Sequence, residues 1–85
     1  MVIKFSKKFD KQYLKLGKWY KEKFKSRLKT FSKDPYNIAL NNHQLKWAMS
    51  QYRSINITWD IRALYYEQGD EITIFALIGS HSELY

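Results

Sequence analysis

The 85-residue sequence has no cysteine, a single proline, three glycines and only two histidines. Without cysteine there is no disulfide, no thiolate metal ligand and no cysteine nucleophile, so the core must hold itself together. No repeat or low-complexity segment occurs, and no apolar run is longer than Ile74 to Ile78, too short to span a membrane. The opening Met-Val-Ile-Lys-Phe lacks the apolar stretch of a signal peptide, which leads to the expectation of a soluble, cytoplasmic protein. A chain of this length makes one domain, residues 1–85, and excludes a large multi-step enzyme. With 45% hydrophobic and 18% aromatic residues, the composition argues against disorder.

Acidic residues are scarce, and unevenly so. The formal net charge is +7, but residues 1–33 hold eleven Lys and one Arg against Asp10 and Glu22, a net of +10. Residues 34–85 hold Lys46, Arg53 and Arg62 against six acids, a net of −3. A basic segment with Trp19, Tyr20 and Phe24 set among its lysines is a footprint for a phosphate backbone; the plainer alternative is a solvated helical face.

Val2 to Phe5 alternate apolar and polar residues as a short strand does, and Ser6 can cap a helix behind it. Phe9, Tyr13, Leu16, Tyr20, Phe24, Leu28 and Phe31 then recur at steps of three and four, the core stripe of an amphipathic helix. Gly17 interrupts the stripe and predicts a helical hairpin, with one helix ending there at its C-cap and a second beginning near Lys18. The one proline, in Asp34-Pro35, ends the helical region, and Asn37, Asn41 and Asn42 mark loop. Beyond it, His43 to Met49, Tyr52 to Trp59, Ile61 to Glu67 and Glu71 to Ile78 are rich in β-branched and aromatic residues, with Gln68-Gly69-Asp70 as a hairpin turn. The predicted fold class is α+β: a short N-terminal strand, a helical hairpin, and an antiparallel sheet of about four further strands with helices on one face. Trp47, Trp59, Tyr65 and Tyr66 are expected as core or cleft walls.

The final residues, Gly79-Ser80-His81-Ser82-Glu83-Leu84-Tyr85, set an imidazole and a phenol four residues apart, so that one helical turn puts both on one side. Together with Phe5-Ser6-Lys7-Lys8-Phe9, His43-Gln44-Leu45, Tyr52-Arg53 and Asp60-Ile61-Arg62-Ala63-Leu64-Tyr65-Tyr66, this ending resembles the RelE/ParE superfamily of bacterial type II toxin-antitoxin toxins. Within it the chain is most similar to the YafQ-like branch of mRNA interferases. The resemblance implies a RelE-like fold and cleavage of mRNA in the ribosomal A site, with no metal and no cofactor. It also implies neutralisation by an antitoxin encoded alongside. On it, His43, Asp60, His81 and Tyr85 fall at positions lining the active cleft. The chain departs from the pattern at Asn56, where that branch has a second histidine; an amide cannot exchange a proton near neutral pH and can only position substrate.

Metal-free RNA cleavage uses the adjacent 2′-hydroxyl as nucleophile, so a base, an acid and a phosphate ligand are needed. His81 suits the acid, because an imidazole ordinarily titrates near 6.5. Asp60 or His43 is the base, with Asp60 otherwise orienting an imidazole. A carboxylate is a weak base unless burial or like charge raises it. Arg62, sharing a strand face with Asp60, is the first phosphate ligand, and Arg53 and Lys46 are the second choices. Tyr85 can stack on a splayed base or hydrogen-bond the 2′-oxygen. The lysine-rich segment would dock on ribosomal RNA, and the ribosome would supply positioning. Each residue also has a structural reading: His43 as a surface residue, Asp60 as a turn residue, Arg62 as a partner of Glu67 or Glu71, and Tyr85 as packing. The competing functional readings are a ParE-like DNA gyrase inhibitor without nuclease activity, and an inactive RNA-binding module.

Overall fold

Ser6 organises the start of the chain in the computed structural model, which describes residues 1–85. Strand β1 (Val2–Phe5) precedes it. The Ser6 hydroxyl accepts the Phe9 N–H at 3.0 Å and donates to the Ala76 carbonyl at 2.8 Å, so one side chain both starts helix α1 (Lys7–Leu14) and ties it to the sheet. Gly17 does not end α1 as expected. The helix ends at Leu14 with Lys15 as its C-cap, and the chain tightens there into bonds that span three residues, Lys15 N–H to the Gln12 carbonyl and Leu16 N–H to the Tyr13 carbonyl. Gly17 is instead the N-cap of helix α2 (Lys18–Lys33), and the predicted hairpin stands. The Tyr13 hydroxyl, donating to the Lys21 carbonyl at 3.4 Å, links the two helices.

Four further strands follow: β2 (His43–Gln44), β3 (Arg53–Asn56), β4 (Ile61–Gln68) and β5 (Ile72–Ser80), in the sheet order β1-β5-β4-β3-β2. The three contacts among β2 to β5 are antiparallel, as expected, whereas β1 joins β5 in parallel. The chain leaves β1 through helices rather than a tight hairpin, so nothing forces the antiparallel sense there. Gly69, at φ 68°, makes the β4–β5 turn in a backbone region open to glycine. Two strands are shorter than predicted. The segment expected over His43 to Met49 pairs only at His43 and Gln44, then enters a 3₁₀ turn at Trp47–Met49; the one expected over Tyr52 to Trp59 ends at Asn56, where the Ile57 and Thr58 N–H groups both bond the Ile61 carbonyl. Strand β5 runs on to Ser80, past the expected end at Ile78.

Alternation along the strands gives the sheet two unlike faces. Ile55, Ile57, Ile61, Ala63, Tyr65, Phe75 and Ile78 join Phe9, Phe24, Phe31 and Leu40 in one core under the helices, with Tyr13, Leu16, Tyr20 and Leu28 packed against it, which places the whole helical stripe where its period indicates. Phe75 is the hub, its ring centroid 5.3 Å from Phe31, 5.5 Å from Tyr65 and 5.8 Å from Phe24. Phe75 and Ile78, three residues apart, both face the helices because the register shifts between Leu64/Leu77 and Tyr65/Phe75, leaving Ala76 as the extra residue of a bulge. The Gln12 side chain accepts the Ile78 N–H next to that bulge. Tyr65 is core, but Trp59, at 86% exposure, is neither core nor cleft wall, since it sits at the tip of the β3–β4 turn.

Candidate functional site

The residues between the core positions of β3 and β4, namely Ser54, Asn56, Arg62 and Leu64, belong to the other face, with His43 paired opposite Ser54 and Arg62 between Asn56 and Gly79. At the end of this face lies an open cleft of about 390 Å³. The β2–β3 hairpin forms one wall through His43, Leu45, Lys46, Trp47 and Met49; the C-terminal turn forms the other through His81 and Tyr85; Asn41 and Arg62 complete it. Both histidines of the chain line this cleft together with two cations, and no Asp or Glu side chain does. Such a lining suits an anion.

The loop before β2 orients His43. Asn41 adopts a left-handed backbone, φ 45°, and its carbonyl lies 2.8 Å from His43 Nδ1. A carbonyl only accepts, so Nδ1 carries the hydrogen and the neutral ring keeps its lone pair on Nε2. Asparagine is one of the few residues besides glycine that adopt this conformation, so Asn41-Asn42 signals a left-handed turn as well as a loop.

His81 and Tyr85 owe their positions to helix α3 (His81–Leu84), a single turn closed by a capping box: Ser80 Oγ accepts the Glu83 N–H at 3.2 Å, and Glu83 Oε1 accepts the Ser80 N–H at 2.8 Å. The expected juxtaposition follows, with ring centroids 4.5 Å apart. Hydrogen bonds from the Ser80 main chain and then its hydroxyl hold the Glu83 carboxyl below its ordinary value of 4.5. A Cβ at Gly79 would sit 3.3 Å from Glu83 Oε1 and 3.4 Å from Leu84 Cδ2, so the glycine lets the turn fold back on β5.

Arg62 aims from β4 into the cleft while its Nη1 donates to the carbonyls of Thr58 at 3.2 Å and Trp59 at 3.1 Å. These carbonyls, rather than Glu67 or Glu71, hold the guanidinium, and its remaining donors stay available.

Three of the predicted residues lie elsewhere. Asp60 is not on the strand with Arg62 but in the turn before it; its carboxylate accepts the Thr58 hydroxyl at 2.7 Å, and it lines a separate groove with Lys8, Gln12 and Lys15. Its connection to the cleft is through the main chain, since its carbonyl accepts the His81 N–H at 3.2 Å. Arg53, opposite Tyr65 on the helix side of the sheet, donates to Asn42 Oδ1 at 2.8 Å and lies 5.2 Å from the centre of the Tyr36 ring. Asn56 shares the open face with Arg62 but does not line the cleft, and its buried Oδ1 has no hydrogen-bond partner. Nowhere do three His, Cys, Asp or Glu side chains converge in a metal-ligating group, and no helix is long and apolar enough to cross a membrane.

A small mixed sheet with a helical pair on one face is the RelE-like toxin fold. The chain belongs to the ParE toxin family, the ParE toxins of type II toxin-antitoxin systems (parDE), whose family model matches residues 3–85. Its fold is similar to that of YafQ from E. coli strain BL21(DE3), at 22% identity and a TM-score of 0.82 over 98% of this chain and 96% of that one. It is also similar to a YoeB/ParE toxin from Agrobacterium tumefaciens, at 19% identity and a TM-score of 0.79 over 95% and 99% of the two chains. A third similar structure comes from the E. coli DinJ-YafQ toxin-antitoxin complex, at 24% identity and a TM-score of 0.78 over 98% and 94%. Among curated proteins, none matches the chain.

Proposed function

We propose that this type II toxin is a ribosome-dependent mRNA endoribonuclease working by 2′-hydroxyl attack. The observation that carries the reading is the meeting of both histidines, Arg62 and Tyr85 in one cleft without an Asp or Glu side chain. His43 Nε2, left bare by the Asn41 carbonyl, takes the 2′ proton; the 2′-oxygen bonds to phosphorus as the bond from phosphorus to the 5′-oxygen breaks; His81 gives its proton to that oxygen. Of the two candidate bases, His43 is thus preferred over Asp60, whose carboxylate is engaged by Thr58, and Asp60 becomes the residue that positions His81 through its carbonyl. Arg62 and Lys46 bind the phosphate, and Tyr85 the nucleoside beside it. Arg53 instead ties Asn42 and Tyr36 to the sheet.

Docking on ribosomal RNA falls to the N-terminal strand and helices, where every lysine of residues 1–33 except Lys21 is exposed while the single arginine, Arg27, turns inward to the Ile57 carbonyl at 3.4 Å. The same surface suits an acidic segment of a cognate antitoxin, a partner of the kind that DinJ is for YafQ in their complex. The family's ParE description favours a second reading, inhibition of DNA gyrase without cleavage. Mapping mRNA 5′ ends in a translation reaction separates them. Codon-phased cuts that vanish with His81→Ala are expected; intact mRNA together with inhibited gyrase overturns the first reading in favour of the second.

A further inference from the structure

Trp47 carries two costs that nothing else in the chain offsets. Its backbone is left-handed, φ 62°, a conformation that a bulky side chain rarely adopts, and its indole is 91% exposed. Other large apolar side chains are also exposed, Ile38 and Trp59 among them, but neither has a positive φ and neither lines the cleft. In Trp47 strain, exposure and place coincide. A glycine would satisfy the same turn without strain and without a large apolar surface in water, so the indole is not there for the turn.

The turn is held firmly. Leu45 N–H bonds the Tyr52 carbonyl at 3.0 Å, Ser50 N–H bonds the Trp47 carbonyl at 3.1 Å, and the Gln44 side-chain amide donates to the carbonyls of Ser50 and Tyr52. The indole is therefore presented on a rigid hairpin beside Lys46 and across the cleft's wall of His81 and Tyr85. A flat aromatic surface next to cations and imidazoles is what an unpaired base with its phosphate requires, and any base can stack on it.

We infer that Trp47 is a base-stacking residue: its indole binds one unpaired RNA base next to the scissile phosphate. This rests on the endoribonuclease reading and extends it to a residue with no proton to exchange.

The test compares wild-type protein, Trp47→Gly and Trp47→Phe in cleavage of mRNA on programmed ribosomes at subsaturating concentration, alongside thermal unfolding of each. Trp47→Gly is expected to melt higher, since the strain is relieved, and yet to cut about 5- to 150-fold more slowly, the equivalent of one lost base–aromatic stack. Trp47→Phe, which keeps an aromatic face, is expected to stay within about threefold of wild type. Stability and activity thus move in opposite directions, which a packing role would not produce. Cleavage by Trp47→Gly within twofold of wild type, a Trp47→Phe as slow as Trp47→Gly, or a lower melting point for Trp47→Gly each overturns the inference while the nuclease reading stands. A wild-type protein that cuts no mRNA overturns both.

Discussion

The two faces of the sheet are built from the same strands and do opposite things. Toward the helices, Ile55, Ala63, Tyr65 and Phe75 are sealed in an aromatic core; away from them, Arg62 and His43 stand at an open cleft. The boundary between stability and chemistry therefore runs between neighbouring residues, Ile61 and Arg62 for instance, rather than between segments. This changes the meaning of the charge division. The −3 half of the chain presents a cleft lined only by cationic, neutral and titratable basic side chains, because its six acids point elsewhere.

Substitutions on the two faces are the means of breaking that separation. The largest effect is expected from Phe75→Ala, which removes the hub of the core. A loss of about 3–5 kcal/mol is anticipated, a large share of the total for a domain of this size. Denaturant unfolding reads it, and a loss below about 1 kcal/mol would refute the hub assignment. Next, His81→Ala and His43→Ala should each slow mRNA cleavage about 10²- to 10⁴-fold while leaving the unfolding midpoint unchanged. A His43→Ala protein of normal activity would return the base to Asp60.

Smaller effects should sharpen the picture at the C-terminal turn. Ser80→Ala removes the cap, costing the turn about 0.5–2 kcal/mol, and activity should fall more than global stability does. Acid tests the same device through Glu83, whose carboxyl is held below its ordinary 4.5 in the folded chain. A folded value below the unfolded one means a stabilisation fully present above pH 4.5 and lost as the pH falls through the folded value. The His81–Tyr85 ring contact, followed by NMR, should weaken over that acid range in the wild type, whereas Glu83→Gln should show no such change between about pH 5 and pH 3. The smallest shift is expected from Gly79→Ala, where the flexible end of Glu83 can yield a few tenths of an ångström. A modest drop in cleavage with an intact fold would place the glycine's role in seating the turn.

Much of this was legible residue by residue. The spacing of Phe9, Phe24 and Phe31 announced a helical face, Ser6 announced its cap, and the four-residue step from His81 to Tyr85 announced their contact. The place of Arg53 on the helix side is legible in the sequence, since Arg53, Ile55 and Ile57 share one strand parity and two of them are core. Asp60 falls outside the strand, which begins at Ile61 as its composition indicates, so the two-residue step to Arg62 gives the pair no common face. The loss of pairing after Gln44, and with it the left-handed Trp47, had no local marker, as tryptophan in a β-rich run favours extended backbone.

The sequence alone determined what is periodic and local: which residues turn inward, where helices start, and that the core must form without disulfides. The tertiary structure decided what depends on distant pairing. It set β1 parallel to β5, brought His43 and His81 into one cleft across 38 positions of chain, and turned Asp60 out of it. Local pattern reports the face on which a side chain lies, but convergence at one end of a sheet follows from strand order and register, which exist only once distant segments have met.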